Sequence, residues 1–181
     1  MWAAARKAIY SQDNGVSWAA ADLGPFGEFD TLSWQSVIFV NGLFMAISGF
    51  VPDQSYIITS PDGITWTRIL IPVGQWNSLA YGNGIYLAVA EDGKVLRSID
   101  GVKWRLINVP GFWKSVAYGV QFVAVESDNS GDSKVISSFD GLSWTPHPLP
   151  DFTSLQDVVY DGSKYVAGGH GGLLAISETV Q

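Results

Sequence analysis

Ser98-Ile99-Asp100-Gly101-Val102-Lys103-Trp104 decides the reading of this chain, because the same pattern occurs four times. The other copies are Ser60-Pro-Asp62-Gly63-Ile-Thr-Trp66, Ser138-Phe-Asp140-Gly141-Leu-Ser-Trp144 and a longer form, Ser11-Gln-Asp13-Asn-Gly15-Val-Ser-Trp18. Their serines stand 49, 38 and 40 residues apart. A repeat of about 40 residues points to a propeller or solenoid, in which each unit buries its faces only against its neighbours.

The segments between the copies align as well. Trp34-Gln-Ser36-Val-Ile-Phe-Val-Asn-Gly42, Trp76-Asn-Ser78-Leu-Ala-Tyr-Gly-Asn-Gly84, Trp113-Lys-Ser115-Val-Ala-Tyr-Gly119 and Leu155-Gln-Asp157-Val-Val-Tyr-Asp-Gly162 are apolar, β-branched and aromatic runs that stop at glycine. Each reads as a strand followed by a tight turn. A second run follows the turn, over 43–48, 85–90, 121–126 and 164–168. A third leads into the motif, over 56–60, 95–98, 135–138 and 173–177. A fourth is expected to start at the motif tryptophan and to end near Pro72, Pro110 and Pro150, where proline stops pairing. Four short antiparallel strands per unit describe a propeller blade. No amphipathic 3.6-residue pattern supports a helical reading.

The motif falls in the turn between the third and fourth strands. There the aspartate can fold back onto backbone N–H groups, glycine takes a positive φ, serine adds a hydroxyl and tryptophan covers the turn. Ser-x-Asp-x-Gly-x-x-Trp and its shorter form resemble the Asp-box, or bacterial neuraminidase repeat, and the four copies cover nearly the whole chain. The resemblance implies an all-β propeller whose motif residues lie on the blade periphery, away from a ligand site. It therefore gives Ser11, Asp13, Gly15, Trp18, Ser60, Asp62, Gly63, Trp66, Ser98, Asp100, Gly101, Trp104, Ser138, Asp140, Gly141 and Trp144 structural roles, and no catalytic one.

Three repeats are complete, at about 34–72, 76–110 and 113–150. Residues 155–177 supply three more strands, and residues 6–23 supply a third strand, a motif and a fourth. Joined, they would make a composite blade that closes a single domain over 1–181 and removes exposed edges. The expectation is a small propeller of four four-stranded blades, with five blades or a ring shared between chains as alternatives. One third strand is left over, which favours pairing between copies of the chain through the terminal strands.

Composition narrows the partners. Seventeen acidic against ten basic side chains give a net charge of -7, and no basic cluster exceeds the pair Arg6-Lys7. A nucleic-acid surface needs concentrated positive charge, so nucleic acid is an unsuitable partner. No apolar run is long enough to span a bilayer, and the start of the chain lacks the apolar core of a signal peptide. An extracellular or virion-associated setting stays compatible with this. The chain has no cysteine, which excludes disulfides and thiolate chemistry.

By analogy with other propellers, ligands bind at the face where the chain enters each first strand. That face gathers Trp34, Gln35, Ser36, Trp76, Asn77, Ser78, Trp113, Lys114, Ser115, Gln156 and Asp157, with loops at 49–55, 91–93, 127–133 and 168–172. Aromatic faces beside amides and hydroxyls would suit a sugar. The competing reading packs the tryptophans between blades and lets the polar groups satisfy one another. Asp128, Asn129 and Asp132 are oxygen ligands of the kind calcium accepts, but they lack an EF-hand pattern and read as a solvated loop. His147 and His170 stand alone, and neither a metal site nor a cofactor is expected.

The favoured function is a non-catalytic binding or structural module recognising a glycan or a protein surface. The alternative is an assembly or scaffold component of a larger particle such as a phage tail. A sialidase-like glycosidase is disfavoured, since it needs three converging arginines and a tyrosine nucleophile. Arg68, Arg97 and Arg105 instead fall beside the motifs on outer strands.

Overall fold

A computed structural model describes residues 7–23, 32–49, 54–127, 133–149, 154–170 and 174–177. The chain divides into two compact units, Met1–Val73 and Gly74–Gln181. In the first, β1 (Lys7–Tyr10) pairs antiparallel with β2 (Ala19–Asp22), and β3 (Trp34–Val40), β4 (Leu43–Ser48), β5 (Ser55–Ser60) and β6 (Thr67–Ile71) form a four-stranded meander. The second unit holds two more such sheets. One is β7 (Trp76–Gly82), β8 (Ile85–Ala90), β9 (Lys94–Ser98) and β10 (Arg105–Asn108); the other is β11 (Trp113–Tyr118), β12 (Phe122–Glu126), β13 (Val135–Ser138) and β14 (Thr145–His147). A three-stranded sheet follows, made of β15 (Leu155–Tyr160), β16 (Tyr165–Gly169) and β17 (Leu174–Ile176). The strands expected to build a composite blade lie in this last sheet and in β1–β2.

Repetition in sequence becomes repetition in register. Each first-to-second hairpin places an aromatic pair opposite itself: Phe39 on Phe44, Tyr81 on Tyr86, Tyr118 on Phe122 and Tyr160 on Tyr165. Their ring centroids lie 4.5–4.8 Å apart in tilted contact. Such cross-strand pairs fix the register of a hairpin. In the turn they flank, Asn83 and Gly84 both have positive φ, 51° and 75°, as a two-residue hairpin with right-handed strand twist requires.

Gly82, which precedes that turn, serves another purpose. A Cβ there would sit 1.9 Å from the Tyr118 ring, and one on Gly119 would sit 2.5 Å from the Tyr160 ring. These glycines let the tyrosine of the following repeat lie against the backbone of the preceding one. The core runs between successive sheets in the same way. Leu87, Val89 and Val95 of one sheet pack with Trp113, Phe122 and Ile136 of the next. Val123 and Val125 in turn pack with Leu155, Val158 and Tyr165.

The fourth strands begin one residue after the motif tryptophan, rather than at it. Three of the indoles bond back to their own turn, Trp18 Nε1 donating to Gly15 O at 3.1 Å, Trp66 Nε1 to Gly63 O at 3.0 Å and Trp104 Nε1 to Gly101 O at 3.2 Å, whereas Trp144 Nε1 makes no such bond. Asp100 Oδ1 accepts the Val102 and Lys103 N–H groups at 2.9 and 2.8 Å, and Ser98 Oγ accepts the Gly101 N–H at 2.9 Å. Asp62 and Asp140 repeat the arrangement. These backbone donors stabilise the ionised carboxylates and hold all three below the usual aspartate range.

Candidate functional site

Every first strand starts with the same irregularity. The register slips between Trp34 and Ser36, Trp76 and Ser78, Trp113 and Ser115, and Leu155 and Asp157. The bulged residues are therefore Gln35, Asn77, Lys114 and Gln156, the second position of each entry. A bulge re-aims a side chain that would otherwise follow the pleat. At the same end, one backbone bond ties the loop entering the first strand to the exit of the second: Gly49 N to Ser33 O, Glu91 N to Gln75 O, Ser127 N to Phe112 O and His170 N to Ser154 O.

The entry tryptophans are structural in their placement. Trp76 is 0% and Trp113 is 1% exposed, so neither offers a ring face to a ligand. Each ring folds over the glycine two residues upstream, where a Cβ would come within 2.8 Å of the Trp76 indole at Gly74 and 2.5 Å of the Trp113 indole at Gly111. Trp113 Nε1 donates to Val109 O at 2.7 Å. Trp34 is half-buried against the cluster of Leu23, Ala46 and Ile58. Truncating a buried tryptophan of this kind costs about 3–5 kcal/mol.

Four of the polar entry residues, Asn77, Ser78, Ser115 and Asp157, are engaged between neighbouring first strands. Asn77 Nδ2 donates to Trp113 O at 2.9 Å, Val116 N to Ser78 Oγ at 3.2 Å, and Ser115 Oγ to Asp157 Oδ1 at 2.6 Å. Gln156 Nε2 donates to the hydroxyls of Ser127 and Ser154, at 3.0 and 3.1 Å, and Gln35 Nε2 to Ser33 Oγ at 2.8 Å. Lys114 pairs with Glu91, which sits at the end of β8. Asp92 and Lys94 form a second ion pair at 2.5 Å in the same turn.

The same end of β11 carries a residue without a role in the sequence-based expectations. Phe112, one position before Trp113, is 53% exposed at the entry to β11. Its neighbour Trp113 is buried in the core, and its carbonyl carries the Ser127 N–H bond, so the backbone beneath the ring is fixed at both points. An aromatic side chain displaced from the repeat's own pattern was the available signal, since the equivalent positions are Ser33, Gln75 and Ser154. Arg97, an arginine weighed for a catalytic site, donates from Nε to Asp140 O at 2.7 Å and braces a motif turn. Asp128, Asn129 and Asp132 lie outside the described residues, as do residues 50–53 and 171–172 of the other loops. Among the described residues no group of His, Asp or Glu is placed to hold a metal ion. None of their helices is long and apolar enough to cross a membrane.

No known family profile matches the chain, and no curated protein matches it. Solved structures do. One described as YCF48 bound to D1 peptide superposes with a TM-score of 0.69 at 19% identity, over 95% of this chain and 56% of that one. YCF48 from Cyanidioschyzon merolae gives 0.68 at 17% identity, over 96% and 60%. The β-propeller domain of Myceliophteria thermophila Cps50 (Swd1) gives 0.58 at 17% identity, over 82% and 52%. The fold is a β-propeller. The chain spans a little over half the length of each YCF48 structure it matches. Its four-stranded sheets are therefore blades, and the entry residues belong to the blade end opposite the motif turns.

Proposed function

We propose that this chain is a non-catalytic binding module that holds a peptide or protein surface on the entry end of its blades. The observation that carries the reading is Phe112: a large exposed ring on a fixed backbone, next in sequence to Gly111, whose N lies 3.5 Å from a Cβ built at Gly93 in the turn that carries the Asp92–Lys94 pair. An aromatic anchor rimmed by charges is the usual anatomy of a protein-recognition patch. The similar YCF48 structure with a bound peptide supports the same class of ligand. A sugar is the weaker choice, because burial of Trp76 and Trp113 withdraws the rings that would stack on it. The four motif turns are read as Asp-boxes in a structural role, with their carboxylates committed to backbone donors. A glycosidase reading lacks support, since Arg97 is engaged at a motif turn and Arg68 and Arg105 lie on fourth strands.

Selection from a displayed random-peptide library tests this. Peptides retained by the native chain should lose at least about tenfold in affinity for Phe112→Ala, a truncation worth more than about 1.4 kcal/mol, with an unchanged circular dichroism spectrum. Selected peptides indifferent to Phe112→Ala and Lys114→Ala, or turnover of a fluorogenic glycoside panel, would overturn the proposal.

A further inference from the structure

Two successive blade junctions use the same positions with different residues. Between β7–β10 and β11–β14, Leu87, Trp113 and Ile136 share one core, with Ile107 packed against it. Counting along the repeat, the junction of β11–β14 with β15–β17 has Val123, Leu155, Ala175 and His147 in their places. Three of these are smaller, and the fourth is polar. A cleft of about 570 Å³ opens there, walled by Val123, Val135, Val158 and Ala175 and carrying Ser137 and His147. Small-molecule sites span roughly 300–1,000 Å³ and combine apolar walls with a few placed polar groups.

The polar groups of this wall can be accounted for one by one. The Tyr165 hydroxyl donates to Gln121 O at 2.6 Å, and Ser177 Oγ accepts the Tyr165 N–H at 2.9 Å. Ser137 is buried, and its Oγ lies 2.7 Å from His147 Nε2. A serine hydroxyl and a neutral imidazole carry one O–H and one N–H, and the hydrogen bond between them uses one of the two. Whichever tautomer is present, one donor is left over, on His147 Nδ1 or on Ser137 Oγ. The pair is no part of the repeat, because the preceding sheet has Arg97 and Ile107 at these positions. There Arg97 turns to Asp140 O and Ile107 joins the core. No aspartate or glutamate is among the described residues lining the cleft, so its wall does not repel an anion. The matching occupant has an apolar body and one hydrogen-bond-accepting head.

We propose that the cleft between β12–β14 and β15–β17 binds a small amphipathic carboxylic acid, its apolar body against Val123, Val135 and Ala175 and its carboxylate on the Ser137–His147 pair. The site is separate from Phe112 and does not depend on that reading. Sodium decanoate, kept below the concentration at which it forms micelles, is the probe. In a titration of the full chain followed by methyl NMR, the Val123, Val135 and Ala175 resonances should shift saturably. Decylammonium, whose head accepts no hydrogen bond, should bind at least about tenfold more weakly, although a net charge of -7 would favour it in non-specific association. His147→Leu should keep the apolar wall and weaken decanoate about tenfold. Ala175→Leu should fill the cleft and weaken it at least as much, with Val123→Leu as a second filler should the first not fold. The proposal is overturned by the absence of saturable shifts at these methyls, by equal binding of decylammonium, or by decanoate affinity undiminished in both His147→Leu and a folded filler variant.

Discussion

The motif turns at Ser11–Trp18 and Ser138–Trp144 are built alike and buried differently. In both, serine Oγ accepts the glycine N–H at 2.8 Å, and the aspartate accepts backbone N–H, from Ser17 at 2.8 Å on Asp13 and from Leu142 and Ser143 at 2.8 and 3.0 Å on Asp140. Yet Gly141 rests on the buried side chain of Leu87, while an added Cβ at Gly15 would meet nothing within 4 Å. Trp144 is half-buried on the interblade core, whereas Trp18 stands exposed. The lesson is that the turn forms from local hydrogen bonds and owes its surroundings to the neighbouring blade.

The glycines break the two apart most strongly. Both have positive φ, 70° at Gly141 and 86° at Gly15, so alanine strains either turn by about 1 kcal/mol. At Gly141 the new methyl must also displace Leu87, which adds about 1–2 kcal/mol of overpacking. Urea denaturation should place Gly141→Ala well below Gly15→Ala. Equal losses would show that the blade junction yields easily and that only the local turn matters.

Acid should reveal what the turns share. Asp13 is drawn down to about 2, first by the Ser17 hydroxyl and then by the Ser17 N–H, and Asp140 is lowered mainly by the Ser143 and Leu142 N–H groups. A carboxyl whose folded pKa lies below its unfolded value contributes stability that is complete above about pH 4–5 and lost as pH falls through the folded pKa. Urea midpoints should thus hold level from neutral pH to about 5 and decline from there toward pH 2. A midpoint that rises on acidification would contradict the assignment of these carboxylates.

The smallest effect separates the two turns again. Asp13 has an extra donor, Ser17 Oγ at 2.5 Å from Oδ2. Ser17→Ala should raise the Asp13 titration seen by NMR while leaving Asp140 unmoved. No change at Asp13 would remove the hydroxyl from its list of stabilising partners.

Strand order, hairpin turns and the motif's internal bonds were legible in the residues alone. Asn83-Gly84 and Ser98-Ile-Asp100-Gly101 act through contacts that span two to four positions, so their geometry travels with the sequence wherever the segment sits. The entry residues were legible as a group, but their roles were not. Trp76 and Trp113 vanish into the core, Asn77 and Ser115 bond to the next blade, and Phe112 emerges as the exposed ring. Gly82 could not be told from a turn glycine, because its reason is Tyr118, which lies 36 residues away. What each blade is made of follows from short-range contacts already written into the residues. Which faces are covered depends on the blade alongside, as the buried Trp113 and the exposed Phe112 beside it show.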